Sequence, residues 1–382
     1  MPFGPMSVAV SDRPEGPFEY LSDIKYKDGT PLLKYLTNDP AVINDNGRIW
    51  LYYGWGLGRD FRNKILKPLY DFVLSKLCRR TLKNIKSAKP SVLSCAVVEL
   101  EDDMCTLKGE PKAVLDSVTT AKKNTEFYKH AFYEAPSIRK FGDTYYLIYS
   151  SGQNNELCYA TSKYPDKDFS YQGVLISSSD LGYEGNNQRK APAGTIHGSV
   201  ESIGGKYYVF YHRCTNNTDF SRQACAESIK MIKGKFAQAE MTTQGIGRPL
   251  ASKGTYSAAL CCNLYNSKTK NVQGCGHYDD QPNIAYAKGE HFIRAISNGT
   301  VVGFKYFDFD NLTKISVSVM GESGKVVIST RDGLTIATID FEKSASWKSY
   351  TTMAAKTVKG VEPLYFTFIG EGKYCFKSFT LE

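Results

Sequence analysis

The stretch Tyr133-Glu134-Ala135-Pro136-Ser137-Ile138-Arg139-Lys140-Phe141-Gly142-Asp143-Thr144-Tyr145-Tyr146-Leu147-Ile148-Tyr149-Ser150 reads as a β-hairpin. Ala135–Lys140 makes a first strand, and the Gly142-Asp143 pair turns the chain, because glycine tolerates positive φ and Asp bonds its own backbone. A strongly aromatic second strand follows. Glu134 stands at the mouth of the first strand.

The pattern recurs. Glu134 is followed by Gly142 and Tyr145, Asp39 by Gly47 and Trp50, and His197 by Gly205 and Tyr208, at the same spacing each time. Asp39-Pro40-Ala41-Val42-Ile43 and His197-Gly198-Ser199-Val200 hold the place of Glu134-Ala135-Pro136-Ser137-Ile138. A repeated all-β unit is the signature of a propeller or array. In a propeller the first strand of each blade lines the axis, so Asp39, Glu134 and His197 are expected to converge at one mouth of the channel.

The chain has 382 residues, 42% of them apolar and 13% aromatic, which favours a sizeable core and β structure. The net charge of +9 is concentrated. Arg59–Lys89 holds ten Lys/Arg against two Asp, and the rest is nearly neutral, which argues against nucleic-acid binding. No stretch approaches the ~20 apolar residues of a membrane span. Met1-Pro2-Phe3-Gly4-Pro5-Met6 has no signal-peptide character. The ten cysteines form no C-x-x-C pair and no zinc spacing. Cys78, Cys95 and Cys158 read as small buried hydrophobes. A reduced, cytoplasmic location is the simplest expectation.

Taken in order, Val8–Tyr20 resembles Cys158–Tyr171: Ser11, Pro14, Phe18 and Tyr20 match Ser162, Pro165, Phe169 and Tyr171. Since Cys158–Tyr171 is the outer half of the Glu134 blade, Ser7–Ile24 is expected to be the outer half of a first blade whose inner hairpin lies before Met1. Residues 59–90 carry Ile65, Leu66, Leu69, Phe72, Val73 and Leu77 at helical spacing, which predicts a basic helical insertion of one or two amphipathic helices. Its expected role is a packed cap; an anionic membrane surface or a partner is the alternative. Ser177–Gly194 is a polar, Gly-rich loop. Gly245–Asn283 is expected to hold the closing blade. From about Ala285 short alternating strands punctuated by Gly324, Asp332-Gly333 and Gly370 predict a β-sandwich.

Together, Asn38-Asp39-Pro40-Ala41-Val42, Tyr133-Glu134-Ala135-Pro136-Ser137-Ile138, His197-Gly198-Ser199-Val200 and Ser221-Arg222-Gln223 resemble glycoside hydrolase family 43. These are five-bladed β-propeller enzymes that include β-xylosidases and α-L-arabinofuranosidases. Gly303-Phe304-Lys305-Tyr306-Phe307-Asp308 and Phe376-Lys377-Ser378-Phe379 look like a family 6 carbohydrate-binding module. The resemblance implies an all-β fold, with a propeller over residues 1–280 whose first blade is incomplete and a module-like sandwich over 285–382.

It also implies an inverting hydrolase of pentose-containing plant polysaccharides or oligosaccharides. Glu134 would be the general acid, and Asp39 the auxiliary carboxylate that raises its pKa. His197 matches a histidine near the axis, associated with a water-bound structural calcium; no other cofactor is expected. Arg222 matches an arginine that contacts the sugar. Asn38, Trp55 and Tyr133 flank these positions and would bind substrate, and Trp347, Tyr306 and Tyr365 are candidates for stacking on sugar in the sandwich. The general base belongs to the strand expected before Met1, so the chain is expected to be truncated and impaired. A non-catalytic carbohydrate-binding protein is the alternative. An interaction propeller lacks its repeat signatures here, and the histidine hairpin argues against a fructan hydrolase.

Overall fold

The computed structural model describes residues 4–57, 67–77, 81–87, 92–153, 155–267 and 281–382. The chain forms two compact units, Met1–Leu175 with His197–Glu201, and Ile176–Ile196 with Ser202–Glu382. The fold is all-β, with propeller-type sheets followed by a β-sandwich.

In the first unit, β1 (Ser7–Val10) and β2 (Glu19–Asp23) form a two-stranded sheet. β3 (Ala41–Asp45), β4 (Arg48–Gly54), β5 (Ser94–Leu100) and β6 (Lys112–Asp116) form a four-stranded antiparallel meander. β7 (Phe132–Phe141), β8 (Thr144–Ser151), β9 (Glu156–Ser162) and β10 (Ser170–Ser177) form a second. β11 (Ser199–Ile203) begins in this unit.

The repeated turns have the backbone their residues dictate. Asn46-Gly47 joins β3 to β4 with φ of 53° and 85°, and Gly204-Gly205 follows β11 with φ of 57° and 75°. Positive φ at both central residues matches the twist of the flanking strands. At the third turn Gly142 has φ 58°, and Phe141 pairs with Thr144 across it.

Strand alternation then builds the core. Ile49, Leu51 and Tyr53 of β4 face one buried cluster with Leu32, Leu36 and Val98. Trp50 and Tyr52 face another with Phe132, Leu147, Tyr149 and Cys158, joining the two meanders. Each large side chain buried this way contributes about 1.5–3 kcal/mol. Cys95 and Cys158 are fully buried, as expected; Cys78 lies outside the described residues.

Two helices stand between β4 and β5, α1 (Lys67–Leu77) and α2 (Leu82–Ser87). The buried face differs from the expected stripe. Leu74 and Ile85 enter the core, whereas Leu69, Phe72 and Val73 are exposed. Polar groups share the buried face, with Ser75 Oγ donating to the Phe72 carbonyl and Asp71 bound by Lys67 Nζ at 2.7 Å. A helix with apolar residues around much of its circumference can present only one side to the core. Ile65 and Leu66 lie outside the described residues. No described helix is long and apolar enough to cross a membrane.

In the second unit, β12 (Lys206–Thr215) and β13 (Thr218–Ile229) pair along their length, and β14 (Met231–Ile232) pairs with β15 (Lys235–Phe236). The sandwich strands follow: β16 (Leu250–Ala251), β17 (Gly254–Ser257), β18 (Asn263–Tyr265), β19 (Asn283–Ala287), β20 (Glu290–Ile296) and β21 (Thr300–Phe309). They continue with β22 (Lys314–Gly321), β23 (Gly324–Ser329), β24 (Thr335–Phe341), β25 (Ser344–Met353), β26 (Gly360–Ile369) and β27 (Tyr374–Leu381).

One sheet runs β16-β21-β26-β23-β24 with β18 beside β21; the other runs β19-β20-β27-β22-β25 with β17 beside β27. Between them pack Phe304, Phe307, Phe366, Phe368, Phe376 and Phe379. The sandwich therefore reaches back to Leu250, ahead of the expected boundary between residues 280 and 285. The described strands of Gly245–Asn283 serve it rather than a closing blade. The physical reason is pairing: Gly254–Ser257 zips onto Leu381–Ser378, and Asn263–Tyr265 onto Gly303–Val301.

Glu227 on β13 is 3% exposed and accepts from Thr242 N, Thr242 Oγ1 and Tyr211 Oη at 2.8, 2.6 and 3.3 Å. Burial outweighs these bonds and pushes its carboxyl up to about 7. A carboxyl raised on folding contributes stability that is complete below its unfolded value and lost as pH climbs through the folded one. Denaturation midpoints should therefore fall between pH 5 and 8, with about 3 kcal/mol lost from this group. Glu227→Gln should flatten the fall, and an identical pH dependence in the variant would contradict the assignment.

Candidate functional site

The candidate residues of the first unit come from three chain segments. Asp39 lies just before β3 with φ 48°, a left-handed conformation that Asp tolerates. Asn38 Nδ2 donates to Asp39 Oδ2 at 2.9 Å, and the Asn38 carbonyl accepts from Gly54 N at 3.0 Å. The Asp39 carboxylate is thus fixed to the end of β4. His197, two residues before β11, brings Nε2 to 3.6 Å from Asp39 Oδ2, with the side chains 39% and 27% exposed. That separation is an ion-pair distance when the ring is protonated and is too long for a hydrogen bond.

Glu134 is re-aimed by its strand. The β7–β8 register shifts on both sides of it, between Phe132 and Glu134 and between Glu134 and Ser137. Ala135, buried, has φ 65°. Bulges bend a strand and redirect a side chain, and left-handed backbone at a residue other than glycine costs about 1–3 kcal/mol and concentrates at functional sites. Glu134 is half-buried.

Gly56 sets how closely the segment after β4 meets the start of β7. Its N–H donates to the Tyr133 carbonyl, and a Cβ placed there would stand 2.5 Å from the Phe132 carbonyl oxygen. This contact brings Trp55 against Tyr133, with ring centroids 6.0 Å apart and planes at 45°. Asn38, Asp39, Trp55, Tyr133, Glu134 and His197 all belong to this unit, as the repeat implies. Arg222 belongs to the second unit; it is exposed on β13 and its Nε donates to the Asp219 carbonyl at 3.1 Å. The structural importance of Gly56 was not read from the sequence. Its signal is the glycine spacing Gly54-Trp55-Gly56 directly after an aromatic strand.

Of the described residues, His197 and Asp39 do not by themselves build a calcium site. Calcium takes six to eight oxygens, and His197 and Asp39 offer one nitrogen and one carboxylate. Among the described residues, three metal-competent side chains come together at His130, Glu156 and Cys158, away from His197 in sequence. There His130 Nδ1 lies 2.7 Å from Glu156 Oε1 and Cys158 Sγ 3.5 Å from the same atom.

No family model matches the chain. It is 35% identical over 395 residues to a xylosidase/arabinosidase of Thermoclostridium stercorarium, covering 98% of this chain and 77% of that relative. It is 30% identical over 219 residues to a β-xylosidase of Xylanibacter ruminicola, covering 56% of this chain and spanning 58% of the relative's length. Among solved structures, it is similar to a glycoside hydrolase family 43 arabinoxylan arabinofuranohydrolase from Bacillus subtilis in complex with cellotetraose. That likeness has 18% identity and a TM-score of 0.42, over 98% of this chain and 73% of the other.

Gly56→Ala should destabilise the chain by about 1–3 kcal/mol through overpacking against the Phe132 carbonyl. Chemical denaturation measures it; an unchanged midpoint would show that the close approach is not required.

Proposed function

This chain belongs to the xylosidase/arabinosidase glycosidases, and we propose that Glu134, Asp39 and His197 form its pentoside-cleaving centre, as their resemblance to glycoside hydrolase family 43 implies. The observation that carries this reading is the double register shift that singles out Glu134 at the mouth of β7. A strand in an ordinary ladder has no need of two irregularities around one carboxylate.

In the proposed reaction Glu134 gives its proton to the leaving glycosidic oxygen as the bond from that oxygen to C1 of the pentose breaks. Water adds to C1 from the opposite face, so the configuration inverts in a single displacement. Asp39, held by Asn38 and facing His197, is the auxiliary carboxylate that accepts from sugar hydroxyls and orients the acid. The Trp55–Tyr133 pair offers apolar ring faces to the C–H side of a sugar. The base that takes the water's proton is assigned to no described residue. The substrates are arabinose- or xylose-containing plant oligosaccharides, in keeping with the names of the relatives. No step runs through calcium. A cytoplasmic site of action is part of the proposal, supported by eight described cysteines that are all free.

General-acid catalysis is worth about 10²–10⁴-fold, and it matters least when the leaving group needs no proton. Glu134→Gln should therefore lower kcat on xylobiose or an alkyl arabinofuranoside by that factor and cost far less on a dinitrophenyl pentoside. Asp39→Asn should lower both. Equal losses of Glu134→Gln on the two leaving groups, or none, would contradict its role as the acid.

A further inference from the structure

A small polar cluster that the proposed reaction does not use lies at the entry to β7. Thr125 caps α3 (Glu126–Lys129), a single helical turn, and His130 follows it, ahead of Glu134 on the same run of chain. The His130 carbonyl accepts from Tyr149 Oη at 3.0 Å, and Gly152 N donates to the Ala131 carbonyl at 3.1 Å. These bonds seat His130 against the β8–β9 end of its meander.

Strand geometry supplies the partners. Glu156 and Cys158 are two positions apart on β9, so their side chains leave the same face. Glu156 is 5% exposed and Cys158 fully buried. His130 Nδ1 lies 2.7 Å from Glu156 Oε1, and Cys158 Sγ lies 3.5 Å from the same oxygen. One ligand atom from each of the three residues falls within 4.8 Å of the others. Ligands on one tetrahedral zinc stand about 3.3–3.6 Å apart, given metal–ligand bonds of about 2.0–2.3 Å. The cluster reaches that spacing with shifts on the order of 1 Å.

The ring is aimed by its surroundings. Its other nitrogen, Nε2, is 3.3 Å from Glu126 Oε1, and its plane lies 9° from that of Tyr171 with centroids 5.4 Å apart. With a proton on Nε2 held toward Glu126, Nδ1 is left to face Glu156 and Cys158. A carboxylate behind a histidine is the arrangement that orients metal-binding imidazoles.

The donor set selects the ion. A thiolate, an imidazole and a carboxylate suit zinc, whereas calcium takes six to eight oxygens and magnesium an octahedron of them. The thiolate and the carboxylate together carry two negative charges, which cancel a dication in a site largely shielded from water. Burial, with Glu156 beside it, pushes the Cys158 thiol up, so the thiol is protonated until a metal displaces the proton.

We propose that His130, Glu156 and Cys158 form a zinc site, with solvent at the fourth position, that staples the segment leading into β7 to strand β9. On binding, the S–H bond of Cys158 and the Nδ1–H bond of His130 break as Zn–S and Zn–N bonds form. Both protons leave to solvent, Glu156 Oε1 turns from hydrogen-bond acceptor to ligand, and no atom changes oxidation state. The site shares no residue with the Glu134 centre and supplies no step of its reaction.

The test is titration of the metal-stripped full chain with Zn²⁺ by calorimetry and with Co²⁺ by absorbance, beside His130→Gln and Cys158→Ser. One zinc per chain is expected, with Co²⁺ giving a thiolate charge-transfer band in the near ultraviolet that Cys158→Ser abolishes. Either substitution should weaken Zn²⁺ binding at least about tenfold. Zn²⁺ should raise the melting temperature of the unsubstituted chain and leave that of His130→Gln where it was. His130 lies at the rim of the cluster, its side chain 19% exposed, so its variant decides the matter if Cys158→Ser fails to fold. No binding, binding that His130→Gln retains in full, or cobalt binding without the thiolate band would overturn the proposal.

Discussion

The candidate site depends on how β7 enters its sheet. Between Phe132 and Ser137 the strand slips register twice, and Ala135 turns into left-handed backbone. Irregularity of this kind is held in place only when its surroundings over-determine it. Here Phe132 and Ala135 are buried, and the Tyr133 carbonyl is held by Gly56 N. The same backbone contact that forbids a side chain at residue 56 fixes the peptide next to Glu134. Local strain, close packing and the position of one carboxylate are a single constraint.

Asp39 is held by a different device with the same result. Its left-handed φ lets the chain turn sharply into β3, while Asn38 bonds both its carboxylate and Gly54. His197 then approaches from the third repeat. The blade cores behind these residues are ordinary alternating β packing, with β4 sending Trp50 and Tyr52 one way and Ile49, Leu51 and Tyr53 the other. Regular packing carries the stability, and the strand mouths carry the polar groups.

Much of this was legible in the residues. The spacing from Asp39, Glu134 and His197 to a glycine turn and an aromatic strand is a period-two signal, and the turns have the positive φ that Asn46-Gly47 and Gly204-Gly205 imply. Bulges have no such signal, because they arise from packing between distant segments such as Gly56 and Phe132. The helical stripe misled for a related reason: α1 carries apolar residues on several sides, and tertiary contact selected Leu74 over Leu69, Phe72 and Val73. The sandwich boundary was read late because β16, β17 and β18 are only two to four residues long and become strands through pairing with β21 and β27. Asp180 and Lys305 were unreadable as partners, being 125 residues apart.

The most direct test of the centre is a crystal structure of the Glu134→Gln chain with xylobiose or an arabinofuranosyl disaccharide. The glycosidic oxygen is expected within ~2.6–3.2 Å of the residue 134 amide, with the sugar ring against Trp55 or Tyr133 and a hydroxyl on Asp39. A disaccharide bound elsewhere in the first unit, with residue 134 turned away from it, would contradict the assignment of Glu134 as the proton donor.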